Sequence, residues 1–339
     1  MSSENDHNVY VLGAGFSADA NMPLMSGGSF FARMQSCLTW LEQQHRMQEA
    51  KSVQKVIKFS QRAKSAAYWI KLEFGNIEEL FSLSSASSIG LDPKDVRRAI
   101  AATLDYSSEE RKEKGNYYSY VGSLLGMPSN FNLPCGRNTF ITFNYDTVLE
   151  NALHDRMVSF SYGFKKNSVT YDSTFVRKGV KREVDVLKLH GSVNWLVDGD
   201  ALRVFGSYSD VRRSGGVPEL IPPTWKKVGS SQLDSVWEQA VRSLTSANRL
   251  IVIGFSMPPT DMHFKYLLAA GFQENTALTK VIFLDPDAQK IEAKGKELFQ
   301  DKDIQSGKVS FKKTTLGELA DSEEILKEIG RPKLGRIFL

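Results

Sequence analysis

Cysteine is nearly missing from this chain: its 339 residues contain two, Cys37 and Cys135. Two thiols cannot build a four-thiolate zinc site, and they supply no disulfide framework. Histidines are few as well, and His7, His45, His154 and His263 show no ligand-like spacing, so no bound metal is expected. Long apolar runs are absent. No stretch approaches the length of a bilayer span, and residues 1–8 are polar where a secretory leader would be apolar, so a cytoplasmic protein with no membrane contact is expected. Charge of one sign is not in excess either. The formal charge of +4 is too small to argue for direct binding of nucleic acid. With 41% hydrophobic and 24% charged residues the composition is that of a folded protein. The length allows two domains, or one large α/β domain with an insertion.

What is present begins at Val9. The run Val9-Tyr10-Val11-Leu12 is apolar, carries no charge and stops at Gly13, as a fully buried strand does before a tight turn. Gly13, Gly15 and Ala18 fit the G-x-G-x-x-G/A spacing of a dinucleotide-binding turn. In that reading Gly13 lets the chain reverse, and Gly15 leaves the backbone open to a pyrophosphate at a helix start. An ordinary strand–turn–helix is the alternative. Further buried strands are expected at 139–143, 184–189, 250–253, 281–284 and 309–311. Residues 29–104 read mostly as helix, with Phe30, Phe31, Met34, Leu38 and Leu41 at helical spacing. Residues 43–64 read as a solvated helix face, with a partner-binding surface as the alternative. Asn76 is expected to cap a helix, residues 84–88 to form a serine linker, and 105–116 an exposed turn or helix end. Residues 196–224 are rich in turn formers, and Asp261 can cap a helix through Phe264. Strands alternating with helices, without hairpin signals, predict an α/β fold, a Rossmann-like doubly wound parallel sheet with a helical insertion module. The domain boundaries read as residues 1–28 and 135–339 for the nucleotide-binding core, and 29–134 for the insertion.

Five expected strands end in polar or glycine clusters: Gly13-Ala14-Gly15-Phe16-Ser17, Asn144-Tyr145-Asp146, His190-Gly191-Ser192, Gly254-Phe255-Ser256 and Asp285-Pro286-Asp287. Ligands of open parallel sheets bind beyond the carboxyl ends of the strands, so these clusters are expected to line one crevice. Gly254 and Ser256 can offer backbone and hydroxyl donors to a phosphate or ribose. Asp285 suits ribose hydroxyls, or else caps the next helix. His190 is either a general base beside the Asn-x-Asp cluster or a satisfied structural histidine.

In this order, Gly13-Ala14-Gly15-Phe16-Ser17, Phe143-Asn144-Tyr145-Asp146, Lys188-Leu189-His190-Gly191-Ser192 and Ile253-Gly254-Phe255-Ser256 resemble the sirtuin signature. More closely, the set resembles the sirtuin-like NAD-consuming effector domains of prokaryotic antiphage defence, as do Val193-Asn194-Trp195, Pro259-x-Asp261-x-x-Phe264 and the helical stretch 76–80. The likeness covers roughly residues 8–290. It implies an NAD+ glycohydrolase (NADase) that takes NAD+ as substrate, needs no metal, and yields ADP-ribose and nicotinamide. By motif position, Asn144 would orient the nicotinamide ribose or the attacking water, Asp146 would hold the carboxamide, and His190 would be the base. Gly13, Ala14, Gly15, Ser17, Gly254, Ser256 and Asp285 would bind the rest of the dinucleotide. Such an effector would be held silent until assembly or a partner activates it. A homo-oligomer is implied, or a HerA-type ATPase, a short Argonaute or a separate sensor, with nucleic acid reached only through the partner. A sensor domain is not expected within residues 300–339. Two departures speak against acyl-lysine chemistry. The four-cysteine module of deacylating sirtuins cannot be built, and Asn21-Met22-Pro23-Leu24-Met25-Ser26 replaces their Gly-Ile-Pro-Asp-Phe-Arg segment. An NAD-dependent deacylase or ADP-ribosyltransferase, and a non-catalytic nucleotide-binding interaction module, are the alternatives.

Overall fold

The computed structural model describes residues 6–25, 28–66, 76–86, 90–110, 117–127, 133–165, 167–175, 182–199, 201–223, 231–257 and 262–331. The strands among them are β1 (His7–Leu12), β2 (Arg137–Thr142), β3 (Ser159–Ser161), β4 (Val169–Tyr171), β5 (Arg182–Lys188), β6 (Gly191–Ser192), β7 (Trp195–Asp198), β8 (Ala201–Val204), β9 (Glu219–Leu220), β10 (Arg249–Ile253), β11 (Lys280–Asp285) and β12 (Val309–Lys313). Seven of them form one sheet in the order β12-β11-β10-β1-β2-β5-β3, every neighbouring pair parallel. β1 is buried along its whole length because both faces of a parallel sheet are covered, which is why Val9–Leu12 is a continuous apolar run and not an alternating one.

From β1 the chain first builds outward through β2 to β5, then returns to the other side of β1 as β10, β11 and β12. Right-handed crossovers therefore place the connections of the two halves on opposite faces, and the direction reverses between β1 and β10. A crevice opens at such a reversal, over the carboxyl ends of the strands.

Between β1 and β2 lie the helices Ser29–Gln43, Met47–Ala66, Ile77–Ala86, Pro93–Glu109 and Tyr117–Leu125. The helix Met47–Ala66 is not only a solvated face: Ala50, Val53 and Val56 are buried, packed with the helices Ser29–Gln43 and Pro93–Glu109. Asp105 is within the helix Pro93–Glu109, not in an exposed turn, because its carboxylate takes Arg46 Nη1 at 2.7 Å. The expected serine linker is in part helix: Ser84 is buried and donates to Phe81 O at 2.8 Å, the back-bond by which a serine tolerates a helix. Residues 87–89, 111–116 and the Pro258–Asp261 segment lie outside the described residues.

The segment after β5 is more ordered than its turn-rich composition suggested. β7 and β8 form an antiparallel hairpin, β4 joins β8, and β6 pairs with β9. The hairpin does carry a signal in Gly199, which directly follows the paired residue Asp198 and has φ +62°.

At the opposite, amino end of the sheet, polar groups are buried in satisfied pairs. Asn8 Nδ2 donates to Ile329 O at 2.7 Å, Tyr10 OH donates to Leu124 O at 2.7 Å, and Arg331 Nε donates to the same carbonyl at 2.8 Å.

Candidate active site

The loops after β1 and β10 touch backbone to backbone. Gly13 N–H donates to Ile253 O at 3.1 Å and Gly15 N–H to Gly254 O at 2.9 Å. A Cβ at Gly13 would stand 2.5 Å from Gly254 O, and one at Gly15 2.8 Å from Gly254 Cα. Gly254 itself has φ +59°, and a Cβ there would meet Phe16 N at 2.4 Å. The glycine spacing is thus demanded first by the approach of two loops about 240 residues apart in sequence. The N–H groups of Gly13 and Gly15 are therefore already bonded, to Ile253 at the end of β10 and to Gly254 just after it.

Asn144 follows β2. Its Nδ2 donates to Gly13 O at 2.8 Å and to Ser17 Oγ at 3.1 Å. A carbonyl can only accept, so Gly13 fixes the amide nitrogen on its own side and turns the oxygen to the other. That oxygen has no donor among the described residues, and Asn144 lines the cavity described next.

Over the strand ends lies a cavity of about 430 Å³, within the range of small-molecule sites. Gly13, Ala14, Gly15, Asn144, His190, Gly254, Ser256 and Asp285 all line it. Ser17 and Asp146 do not. The Ser17 hydroxyl donates to Asp146 Oδ1 at 3.1 Å while accepting from Asn144, and Asp146 Oδ1 also receives Val148 N at 3.0 Å. Both are buried beneath the wall, where they hold Asn144 and anchor the helix Val148–Asp155. Burial raises the Asp146 carboxyl above the ordinary range, the nearby Lys188 ammonium partly opposing it.

His190 follows β5 and is 3% exposed, yet neither ring nitrogen has a hydrogen-bond partner among the described residues. The ring stands edge-on to Phe143, centroids 5.1 Å apart. Burial, and secondly the charge of His263, lower its pKa to about 3, so the imidazole is neutral at physiological pH. A buried polar group without a protein partner marks the place of something that binds. From β5 to β11 the sheet spans four strand spacings, about 19 Å. His190 and Asn144 thus lie at one end of an elongated cleft and Asp285 at the other. Asp285 Oδ1 accepts Asp287 N at 2.8 Å, and Asp287 in turn caps the helix Ala288–Lys296.

Below the wall runs a second buried network. Lys188 Nζ donates to Asp146 O and to Glu150 Oε1, the latter at 2.9 Å. Tyr162 OH donates to the same Glu150 oxygen at 3.1 Å, and Ser192 OH to Asn194 Oδ1 at 2.7 Å.

Residues for which the sequence suggested no role in binding or catalysis also line the cavity. Phe143 and Phe255 are stacked with centroids 4.8 Å apart. Asn76 and Glu78 come from the helical segment, where Asn76 Oδ1 caps the helix by accepting Glu78 N at 2.9 Å. The cap was legible; its place at the cavity was not, since nothing local links residue 76 to the sheet.

Two buried neutral histidines make stability depend on pH. His190 has its pKa lowered to about 3, and His7, held between Ser246 and Thr139, to about 4, both chiefly by burial. Both folded values lie below the unfolded value near 6.5. Their contribution is therefore complete above pH 6.5 and is lost as pH falls toward the folded pKa, by about 1.4 kcal/mol per pH unit for each. The urea midpoint of wild type is expected to fall more steeply between pH 6.5 and 4.5 than that of His190→Gln. Superimposable profiles would contradict this.

Residues 138–306 match the family model of the SIR2-like domain. No curated protein matches the chain. Among solved structures it is similar to a mutant Sir2 homologue in complex with 2'-O-acetyl ADP-ribose, at 15% identity and TM-score 0.47, over 98% of this chain and 95% of that one. It is also similar to a Sir2 homologue–NAD complex, at 17% identity and TM-score 0.45, over 96% and 89%. A third is a Sir2 complex with a p53 peptide and NAD+, at 13% identity and TM-score 0.40, over 95% and 93%.

Proposed function

We propose that this chain, as a protein carrying a SIR2-like domain, binds NAD+ along its strand ends and hydrolyses the bond between nicotinamide and ribose. The observation that carries the reading is the pairing, on one cavity wall, of an imidazole whose two nitrogens have no hydrogen-bond partner among the described residues, His190, and an amide whose nitrogen is held by Gly13 and Ser17 so that its oxygen turns away from them, Asn144.

The bond breaks through an oxocarbenium-like state. The electron pair of the C1'–N1 bond leaves with nicotinamide, water oxygen bonds to C1', and one water proton is released. Asn144 accepts a hydrogen bond from the water or from a ribose hydroxyl and so orients the attack. Neutral His190 takes the proton; its lowered pKa makes it a weak base, so orientation by Asn144 contributes as much to the rate as proton transfer. Asp146 acts through Ser17 on Asn144 and is a positioning residue. Asp285 accepts from ribose hydroxyls at the far end of the cleft. No step needs a metal ion. Unregulated loss of NAD+ would harm the cell that makes the enzyme. The reading therefore includes control by self-assembly or by a partner, in the manner of a defence effector.

Nicotinamide release from NAD+, followed over a range of protein concentrations, tests this. ADP-ribose and nicotinamide are expected in equal amounts with no peptide present. Release that depends on an acyl-lysine peptide would favour a deacylase. Binding of NAD+ without release at every assembly state would leave a non-catalytic nucleotide module.

A further inference from the structure

The residue that fixes the backbone of His190 directly follows a very short element. β9 is the two residues Glu219 and Leu220, paired antiparallel with Ser192 and Gly191. Directly after it, Ile221 N–H donates to His190 O at 2.9 Å, and Ile221 O accepts Tyr145 OH at 2.8 Å. One residue thus ties together the loop after β5, which carries His190, and the loop after β2, which carries Asn144. The approach is close: Gly191 has φ +81°, and a Cβ there would stand 2.1 Å from Glu219 O. Pro223, two residues on, lines the cavity.

A two-residue ladder is weak by itself. It is held from outside by Arg97 of the helix Pro93–Glu109, whose Nη1 meets Glu219 Oε2 at 2.8 Å. Glu219 is 7% exposed, and its carboxyl is raised by burial against the pull of Arg97. Removing the guanidinium would leave that carboxylate buried and uncompensated, and β9 would have to move or take up a proton to relieve it.

We infer that Arg97 and Glu219 are positioning residues for His190: through this ion pair the helical module sets where the imidazole stands in the cavity, and with it the rate of bond cleavage. The inference rests on the NAD+-cleaving reading above. It gives that reading a route of control, because any event that shifts the helix Pro93–Glu109 also shifts the base.

The test compares Arg97→Met, Arg97→Lys and, as a control on the same helix, Arg98→Met, whose side chain pairs with Asp95 and makes no bond to β9. Arg97→Met is expected to lower kcat on the order of 10²-fold, the effect of a small misplacement of a reacting group, with KM for NAD+ held. Amide hydrogen exchange should speed up in peptides covering 190–192 and 219–221. Arg97→Lys should restore much of both, and Arg98→Met should behave as wild type. Wild-type kcat in Arg97→Met overturns the inference, as does a loss of kcat with unchanged exchange at those amides, or one that merely follows a lowered melting temperature. If wild type releases no nicotinamide, the parent reading fails instead, and exchange alone decides whether Arg97 holds β9.

Discussion

Replacing His190 with alanine is expected to lower NAD+ turnover by about 10²–10⁴-fold, the usual cost of losing a general base. The melting curve should move little, because the ring gives up no hydrogen bond to the described residues and loses only its packing against Phe143 and Tyr145. Asn144→Ala should cost a comparable factor through lost orientation. Its stability should also fall, since Gly13 O and Ser17 Oγ each lose one of their two bonds, Gly13 O keeping Phe16 N–H and Ser17 Oγ keeping Asp146, at about 0.5–1.5 kcal/mol per hydrogen bond lost. The contrast between the two is the signature: one variant loses rate alone, the other loses rate and stability. The double variant should turn over little more slowly than either single one, as for groups that act on one reacting centre. Nicotinamide release and thermal melts on the three proteins check this. Near wild-type hydrolysis by His190→Ala would make the imidazole structural, and activity in Asn144→Ala as well would remove the catalytic assignment of the site.

The second large effect is expected at Lys188. Its side chain is 1% exposed and that of Glu150 6%, and the two meet at 2.9 Å. Lys188→Met leaves the Glu150 carboxylate buried with, among the described residues, the Tyr162 hydroxyl as its side-chain hydrogen-bond partner, which costs about 3–5 kcal/mol. The melting temperature should drop on the order of 10 °C. Lys188→Met combined with Glu150→Leu should recover most of the loss, because removing both partners also removes the uncompensated charge. Lys188 Nζ also donates to Asp146 O, so the single variant loosens the Asn144–Asp146 loop and is expected to lose turnover beyond what its stability explains. A single variant as stable as wild type would mean that water reaches Glu150 and that the pair is not sealed.

The sheet was legible because its strands are buried on both faces. β1, β10 and β11 each hold an apolar run of four or more residues, Val9–Leu12, Leu250–Ile253 and Val281–Leu284, while β2 and β5 are shorter apolar stretches, Phe140-Ile141 and Val186-Leu187, flanked by polar residues, and all five lead into polar or glycine residues at the rim. The rim clusters were legible for the same reason, and the structure brings eight of the ten marked residues to one cavity. Ser17 and Asp146 fall behind the wall because the motif gives position along the strand end, not depth beneath it. The demand for glycine at 13, 15 and 254 could be seen, but its cause, the contact of the β1 and β10 loops, joins parts of the chain that no local pattern connects. The β7–β8 hairpin did carry a local signal in Gly199, obscured by the turn formers around it. Arg97 had no signal at all: a cation on a helix face looks alike whether it meets water or a buried carboxylate.

The order of strands in the sheet also sets when the site can come into being. β1 is made first, yet its partner β10 lies 241 residues later, as the Asn8–Arg249 contact measures. At typical synthesis rates of about 5–20 residues per second, β1 waits roughly 12–50 s for that partner to be made. Until then Gly13 and Gly15 have no Gly254 to pack on, and the carbonyl that turns the Asn144 amide is not yet held in place. Pairings so distant in sequence are late events in folding, because the intervening loop must be closed before they form. An unfinished chain, stalled or truncated before residue 254, therefore carries Asn144 and His190 but no assembled cleft to use them in.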